Sequence, residues 1–126
     1  MDLTHLHLHV RNRARAEAFY RQWFGLRVVS GDDSITFMRG DRDFLFALME
    51  DPAPGTMPPW FHFGIHLNSA AHVRETLAAM EASGVRIVKP LHESEFLISF
   101  RCTDPDAYTI EVYWAPAPIS SRPTPT

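Results

Sequence analysis

Disulfides, long apolar runs and clusters of basic residues are all missing from this sequence. Cys102 is the only cysteine in 126 residues, so one chain cannot form an internal disulfide, and a reducing cytoplasm fits. No stretch approaches the ~20 apolar residues that cross a bilayer, and no apolar run typical of a secretion signal is visible. The formal net charge is -3 and no Lys/Arg-rich run occurs, which argues against nucleic acid as a partner. We therefore expect one soluble, cytoplasmic domain that binds neither membrane nor nucleic acid.

The first half of the chain has the pattern of a strand, a helix and three further strands. Residues 3–10 alternate in polarity, which predicts a strand. Asn12 can cap a helix over residues 13–24, where apolar side chains recur at helical spacing, and Gly25 can end it. Turns rich in Gly and Asp separate three more strand-like runs, at 26–30, 34–39 and 43–49.

The second half repeats this pattern after a proline-rich bridge at residues 51–59. A strand is predicted at 61–67, and Ser69 can cap a helix that ends at Gly84. Three strands follow, near 85–89, 96–102 and 108–114. The first strands of the two halves superpose with His5 on His62 and His9 on His66. This internal duplication predicts an α+β fold of two tandem βαβββ modules, at about 3–50 and 60–114. The proline-rich residues 115–126 are expected to form a flexible tail or a surface strap.

Three residues of this pattern could bind a metal ion. Histidines at matched positions of a duplicated strand, His5 and His62, would face each other if the halves pack about a pseudo-twofold axis. Glu111 lies between Ile110 and Val112 and therefore faces the opposite side of its strand. An unpaired carboxylate in an enclosed cavity would be costly, whereas a metal-bound one is not. Two imidazoles and one carboxylate leave positions open for substrate and suit Fe²⁺, Mn²⁺, Ni²⁺ or Zn²⁺.

These residues carry a family resemblance that covers about residues 3–114. The chain resembles a single-domain member of the vicinal oxygen chelate superfamily, which includes glyoxalase I, fosfomycin-modifying transferases, extradiol dioxygenases and bleomycin-binding proteins. Three segments carry the likeness: His5 to Val10 followed by Asn12 and Phe19-Tyr20; His62 to Ile65; and Asp104 to Glu111. The resemblance implies an incompletely closed, mixed β-barrel-like cavity with flanking helices, and one divalent metal on His5, His62 and Glu111. Two positions depart from the family pattern, Asn12 in place of Asp and Ala107 in place of Gly.

Other polar residues are candidates for the substrate pocket around that metal. His7 and His9 share the face of His5, and His66 shares that of His62, because side chains alternate along a strand. The candidates are His7, His9, His66, Arg101 and Tyr113, with polar lining as the alternative for the histidines and an ordinary surface cation as the alternative for Arg101. The sequence does not single out a catalytic acid or base. Cys102 is expected to be a packed small residue, not a nucleophile.

The resemblance implies a metal-dependent enzyme that chelates a small substrate through two adjacent oxygens. Ala47 matches Glu111 between the halves, and glyoxalase I carries a fourth ligand at the place of Ala47, so that reaction is disfavoured. A dioxygenase-like reaction is the first candidate, because three protein ligands leave room for both substrate and O₂. A glyoxalase-like isomerase or lyase, and a thiol transferase, stay open. The alternative from a different functional class is a non-catalytic binding protein that sequesters a drug or metabolite. Relatives of this length commonly form homodimers, so we expect one here.

Overall fold

The computed structural model describes residues 1–121, and the chain divides into two compact units. The first unit is Met1–Pro58 and the second begins at Pro59. Each unit contains one helix and one open, mixed sheet of four strands, in the order β-α-β-β-β. The predicted α+β class and the two tandem modules are therefore confirmed. Of the predicted tail at 115–126, residues 122–126 lie outside the described part of the chain.

The first unit begins with β1 (His5–Val10), which leads into α1 (Arg13–Phe24). Three strands follow: β2 (Arg27–Gly31), β3 (Ile35–Arg39) and β4 (Leu45–Glu50). They form a sheet in the order β1-β4-β3-β2, in which β1 and β4 run parallel and the other neighbours antiparallel. As the sequence predicts, the Asn12 side chain accepts a hydrogen bond from the Arg15 backbone N–H at the start of α1.

The hydrophobic core of the first unit lies on one face of β1, and the histidines of β1 lie on the other face. Leu8 and Val10 are buried, and so are Phe19 and Tyr20 of α1. The Tyr20 ring packs edge-on to that of Phe46, at 4.5 Å between ring centres. His5, His7 and His9 alternate with the buried residues, so they occupy the sheet face opposite to α1.

The second unit repeats this arrangement. It contains β5 (Phe63–His66), α2 (Ala70–Ala82), β6 (Ile87–Glu93), β7 (Ile98–Thr103) and β8 (Thr109–Trp114), followed by a short 3₁₀ turn at Ile119–Ser121. The sheet order is β5-β8-β7-β6, with β5 and β8 parallel. Ser69 caps α2 by accepting a hydrogen bond from the His72 backbone N–H. Within residues 1–121, no helix is both long and apolar enough to cross a membrane.

Burial of side chains also distinguishes the two faces of the second sheet. Phe100, Ile110 and Val112 are completely buried, as are Val73 and Met80 of α2. Residues that alternate with them along β7 and β8 therefore occupy the opposite face, which holds Ser99 and the candidate site residues Arg101, Glu111 and Tyr113.

Most strand boundaries differ from those predicted by one or more residues, and two of these differences concern a histidine. The predicted strand at 61–67 is shorter in the structure, so His62 stands just before β5. The strand predicted near 85–89 spans Ile87–Glu93 in the structure, and this places His92 within β6. Pro90 and two register shifts disturb the strand pattern in this stretch.

The turn that leads into β8 contains a strained backbone position. Ala107 has a φ of 67°, in the left-handed region that favours glycine. The Asp104 side chain holds this turn, because its Oδ1 accepts hydrogen bonds from the backbone N–H groups of Asp106 and Tyr108, both at 2.9 Å. Ala107 therefore introduces backbone strain into the turn before β8, the strand that carries Glu111.

We expect Ala107→Gly to stabilise the protein by roughly 0.5–1 kcal/mol. Relief of the left-handed strain, about 1–2 kcal/mol, exceeds the entropy that glycine adds to the unfolded chain. Urea unfolding should show a higher midpoint. The reverse change in the same unit, Gly84→Ala, is the matched control, since Gly84 has a φ of 79° and an added Cβ would meet nothing within 4 Å. A destabilised Ala107→Gly beside a neutral Gly84→Ala would contradict this account.

Candidate metal centre

Parallel pairing of β5 with β8 brings two of the predicted ligands together. Gly64 lies opposite Glu111 in this pair, and His62 precedes Gly64 by two residues. The Nε2 atom of His62 lies 3.7 Å from Oε2 of Glu111, and both side chains are partly exposed. Ligand atoms at about 2.1 Å from one ion lie roughly 3.0–3.4 Å apart. A small adjustment would thus let both atoms reach the same metal.

A backbone contact fixes which nitrogen of His62 faces Glu111. Nδ1 of His62 lies 3.1 Å from the carbonyl oxygen of Trp60. A carbonyl oxygen can only accept, so Nδ1 carries the proton and donates it. In the neutral ring, the Nε2 lone pair then faces the carboxylate. A cation between these two acceptors, either a proton on Nε2 or a metal ion, would stabilise their approach. This donor set fits a divalent metal, and the Trp60 contact is the outer support that metal-bound imidazoles usually have.

His5, the third predicted ligand, lies in the first unit. It is exposed at the start of β1, and its Nδ1 lies 3.0 Å from the hydroxyl oxygen of Thr4. The structure thus pairs His62 with Glu111 in the second unit, while His5 belongs to the first. Among residues 1–121, no three His, Cys, Asp or Glu side chains are grouped closely enough to hold a metal ion. The complete triad stays a prediction.

One candidate pocket histidine of the first unit, His9, is hydrogen-bonded to an aspartate that the sequence did not reveal. The rings of His7 and His9 lie 5.1 Å apart, and Nδ1 of His9 lies 2.8 Å from Oδ2 of Asp51. This hydrogen bond lowers the pKa of the Asp51 carboxyl, with a further contribution from the Ala53 backbone N–H. Asp51 follows β4, the parallel neighbour of β1, so only the sheet pairing could have identified this contact.

The second sheet places the other candidates in two cross-strand rows on one face. In the first row, Arg101 lies opposite Glu111, and Lys89 lies opposite Arg101. In the second row, Tyr113 lies between His66 and Ser99, with the ring of His66 5.2 Å from that of Tyr113. The strand register therefore joins Arg101, Tyr113 and His66 to the face that carries Glu111.

Glycine at position 64 makes room for the Tyr113 ring. A Cβ on Gly64 would lie 3.2 Å from Cε1 of Tyr113, so the tyrosine ring would have to shift by a few tenths of an ångström. Beyond Tyr113 lies a cavity of about 220 Å³, lined by His66, Tyr113, Ala115, Pro116, Ala117 and Pro118. The start of the proline-rich segment thus forms a wall beside two candidate pocket residues.

Cys102 and Ala47 contribute no chemistry to the candidate site. Cys102 is fully buried on the helix-facing side of β7, and burial raises the pKa of its thiol to about 12, so it stays protonated at neutral pH. In the first unit Ala47 lies opposite His7, and in the second unit Glu111 lies opposite Gly64. His7 and Gly64 are matched positions of the duplicated strand, so the pairing agrees with the match between Ala47 and Glu111. A buried methyl group cannot bind a metal, so β4 supplies no ligand at the position that corresponds to Glu111.

Comparison with known proteins agrees with this architecture. Residues 2–112 match the family model of the Glyoxalase/Bleomycin resistance protein/Dioxygenase superfamily. A possible glyoxalase from Bacillus cereus is 26% identical with a TM-score of 0.79, over 89% of this chain and 97% of that one. Lactoylglutathione lyase from Agrobacterium tumefaciens is 22% identical with a TM-score of 0.70, over 90% and 92%. The fosfomycin resistance protein FosX from Listeria monocytogenes, complexed with Mn(II) and sulfate ion, is 19% identical with a TM-score of 0.77, over 90% of each chain. No curated protein sequence matches this one.

Proposed function

We propose a function from one premise: the chain belongs to the Glyoxalase/Bleomycin resistance protein/Dioxygenase superfamily. We propose that it is a divalent-metal-dependent enzyme that binds a small substrate through two adjacent oxygens. His62, Glu111 and His5 would hold the metal. The observation that carries the proposal is the approach of His62 Nε2 to Glu111 Oε2 at 3.7 Å, with the opposite ring nitrogen held by the Trp60 carbonyl.

The donor set suits several metals. Two imidazole nitrogens and one carboxylate oxygen are compatible with Fe²⁺, Mn²⁺, Ni²⁺ or Zn²⁺. The structure of FosX, a protein of the same fold, was solved with Mn(II). When bound, such an ion supplies a Lewis acid that stabilises negative charge on substrate oxygens.

The protein side chains would bind and orient the substrate. The rings of Tyr113 and His66 form one wall, and Gly64 leaves space for the tyrosine ring. His7 and His9 are proposed to line the pocket from the first unit, where the hydrogen bond to Asp51 holds the orientation of His9. Because Ala47 offers no carboxylate, a bound metal would keep one more coordination position open. A dioxygenase-like reaction is therefore our first subclass, ahead of an isomerase or lyase and of a thiol transferase.

We further propose a homodimer with two metal sites. In this arrangement each site takes His62 and Glu111 from one chain and His5 from its partner. Support comes from the division of the ligands between the two units, with His62 and Glu111 in one and His5 in the other.

Binding of matched diphenols tests the proposed function. We expect catechol, whose oxygens are adjacent, to bind the metal-loaded protein at least tenfold more tightly than resorcinol, whose oxygens are not. This preference should vanish in metal-free protein and in Glu111→Ala, because only the metal distinguishes the two oxygen spacings. Titration calorimetry, or the spectrum of Co(II)-substituted protein, measures both affinities.

The control for this test is Glu93→Ala, which removes a carboxylate paired with Arg74 at 2.6 Å and should keep the preference. If both diphenols bind equally well to the metal-loaded, metal-free and Glu111→Ala proteins, the chelate mechanism is wrong. A protein that sequesters aromatic compounds against Tyr113 and His66 would then be the better description.

A further inference from the structure

Within residues 1–121, Arg101 is a cation that lies beside the candidate metal ligands and has no anionic partner. It lies directly opposite Glu111 in the antiparallel pair of β7 and β8. Residues paired in this way point their side chains to the same face, with Cβ atoms about 4.5–5.5 Å apart. Even so, Glu111 approaches His62 and forms no ion pair with Arg101 within the described residues. The Nε atom of Arg101 is shielded from solvent and has no hydrogen-bond partner anywhere in residues 1–121.

The Nε–H of this guanidinium is therefore unsatisfied within residues 1–121. A shielded N–H without an acceptor carries a desolvation cost, and the arginine side chain is a cation with a fixed fork of donors. Arg101 is the middle residue of a row of three across the sheet: Glu111, Arg101 and Lys89. Positive charge therefore increases from the proposed metal position toward β6. An anion that entered this row would meet two cations, and the planar guanidinium can donate two parallel hydrogen bonds to a carboxylate or a phosphonate.

We propose that Arg101, assisted by Lys89, binds an acidic group on the substrate and thereby selects acidic substrates with adjacent oxygens. The inference deepens the proposed function and depends on it. Neighbouring strands lie about 4.8 Å apart, so the acidic group and the chelating oxygens fit within one small molecule. Arg101 would be a specificity-determining residue: it holds the far end of the substrate while the metal holds the oxygens.

Two ligands that differ in one charge test this assignment. Both 3,4-dihydroxybenzoate and 3,4-dihydroxybenzamide offer the same adjacent oxygens, but only the first carries an anion. We expect metal-loaded wild-type protein to prefer the benzoate by roughly ten- to one-hundredfold, the usual range for a hydrogen-bonded charge. Arg101→Gln should reduce this preference to within about twofold and leave the affinity for the benzamide unchanged. Arg101→Lys should keep part of it, and 3,4-dihydroxyphenylphosphonate should follow the benzoate.

Arg74→Gln is the matched control, because it removes an arginine that is paired with Glu93 and should keep the full preference. Metal content is measured for every variant. Equal affinity of wild-type protein for the benzoate and the benzamide would overturn the inference, and so would a loss of metal in Arg101→Gln, since Arg101 would then support Glu111. If neither ligand needs the metal to bind, the proposed function itself fails. Metal-dependent binding without a preference for the acid refutes only the role of Arg101.

Discussion

Glu111→Ala should lose the divalent metal while keeping its fold. We expect the metal affinity to fall by more than about 100-fold, beyond the roughly 10–100-fold that loss of an outer supporting group costs. His62→Ala and His5→Ala should behave in the same way. All three side chains lie outside the buried core: His5 is exposed, and His62 and Glu111 are partly exposed. Their removal therefore leaves no cavity in the packing, and the circular dichroism and melting of the metal-free proteins should stay close to those of wild type.

Metal analysis after extensive dialysis, on protein without a histidine tag, measures this result. Wild type should retain about one ion per chain, given one set of ligands per chain. His72→Ala is the control, because His72 is exposed on α2 and should leave the metal content unchanged. Occupancy should also fall in acid, since protons compete with the metal for imidazole nitrogen. Full occupancy in any two of the three single variants would contradict the ligand assignment.

Mixing two metal-free variants should restore metal binding if the ligands come from both chains of a dimer. Co-refolded His5→Ala and Glu111→Ala chains would form mixed dimers, in which one site is complete and the other lacks both residues. With random pairing, the mixture should bind about one quarter of the wild-type metal. Metal content of the mixture, together with the sedimentation of each variant, measures this outcome.

The control mixture is His62→Ala with Glu111→Ala, whose defects lie in the same unit. No pairing of these chains yields a complete site, so it should stay without metal. A triad contributed by one chain alone predicts no recovery in either mixture. A chain that sediments as a monomer at micromolar concentration and binds metal fully would likewise exclude the shared site.

Local sequence patterns were sufficient to predict the modules, because their signals lie within a few residues of each other. The helix ends are marked by local hydrogen bonds to the backbone, which do not depend on distant parts of the chain. The residues that make them are Asn12, Ser69 and Gly25. The duplication then indicated that the strand of His62 corresponds to that of His5. The approach of His62 to Glu111 follows from parallel pairing of the strands at the ends of the second module.

Features that depend on pairing between distant strands were not visible in the sequence. The contact of Asp51 with His9 joins residues 42 positions apart, and no local pattern indicates it. His92 was hidden because Pro90 and the irregular register of β6 disturb the alternation on which strand prediction relies. The tautomer of His62 depends on the carbonyl of Trp60, and a backbone oxygen leaves no signature in the choice of side chain.

Because Cys102 is buried, the reaction rate of its thiol can report local opening of the protein. The thiol is enclosed in β7, between the strand that carries Glu111 and the edge strand β6, and no other cysteine competes with it. A thiol reagent can reach it only when this sheet separates from α2. Its labelling rate therefore follows the opening of the sheet that carries the candidate ligands, as amide hydrogen exchange would, but at a single chosen atom. Any ligand that binds and steadies this sheet would slow the labelling in proportion to its occupancy.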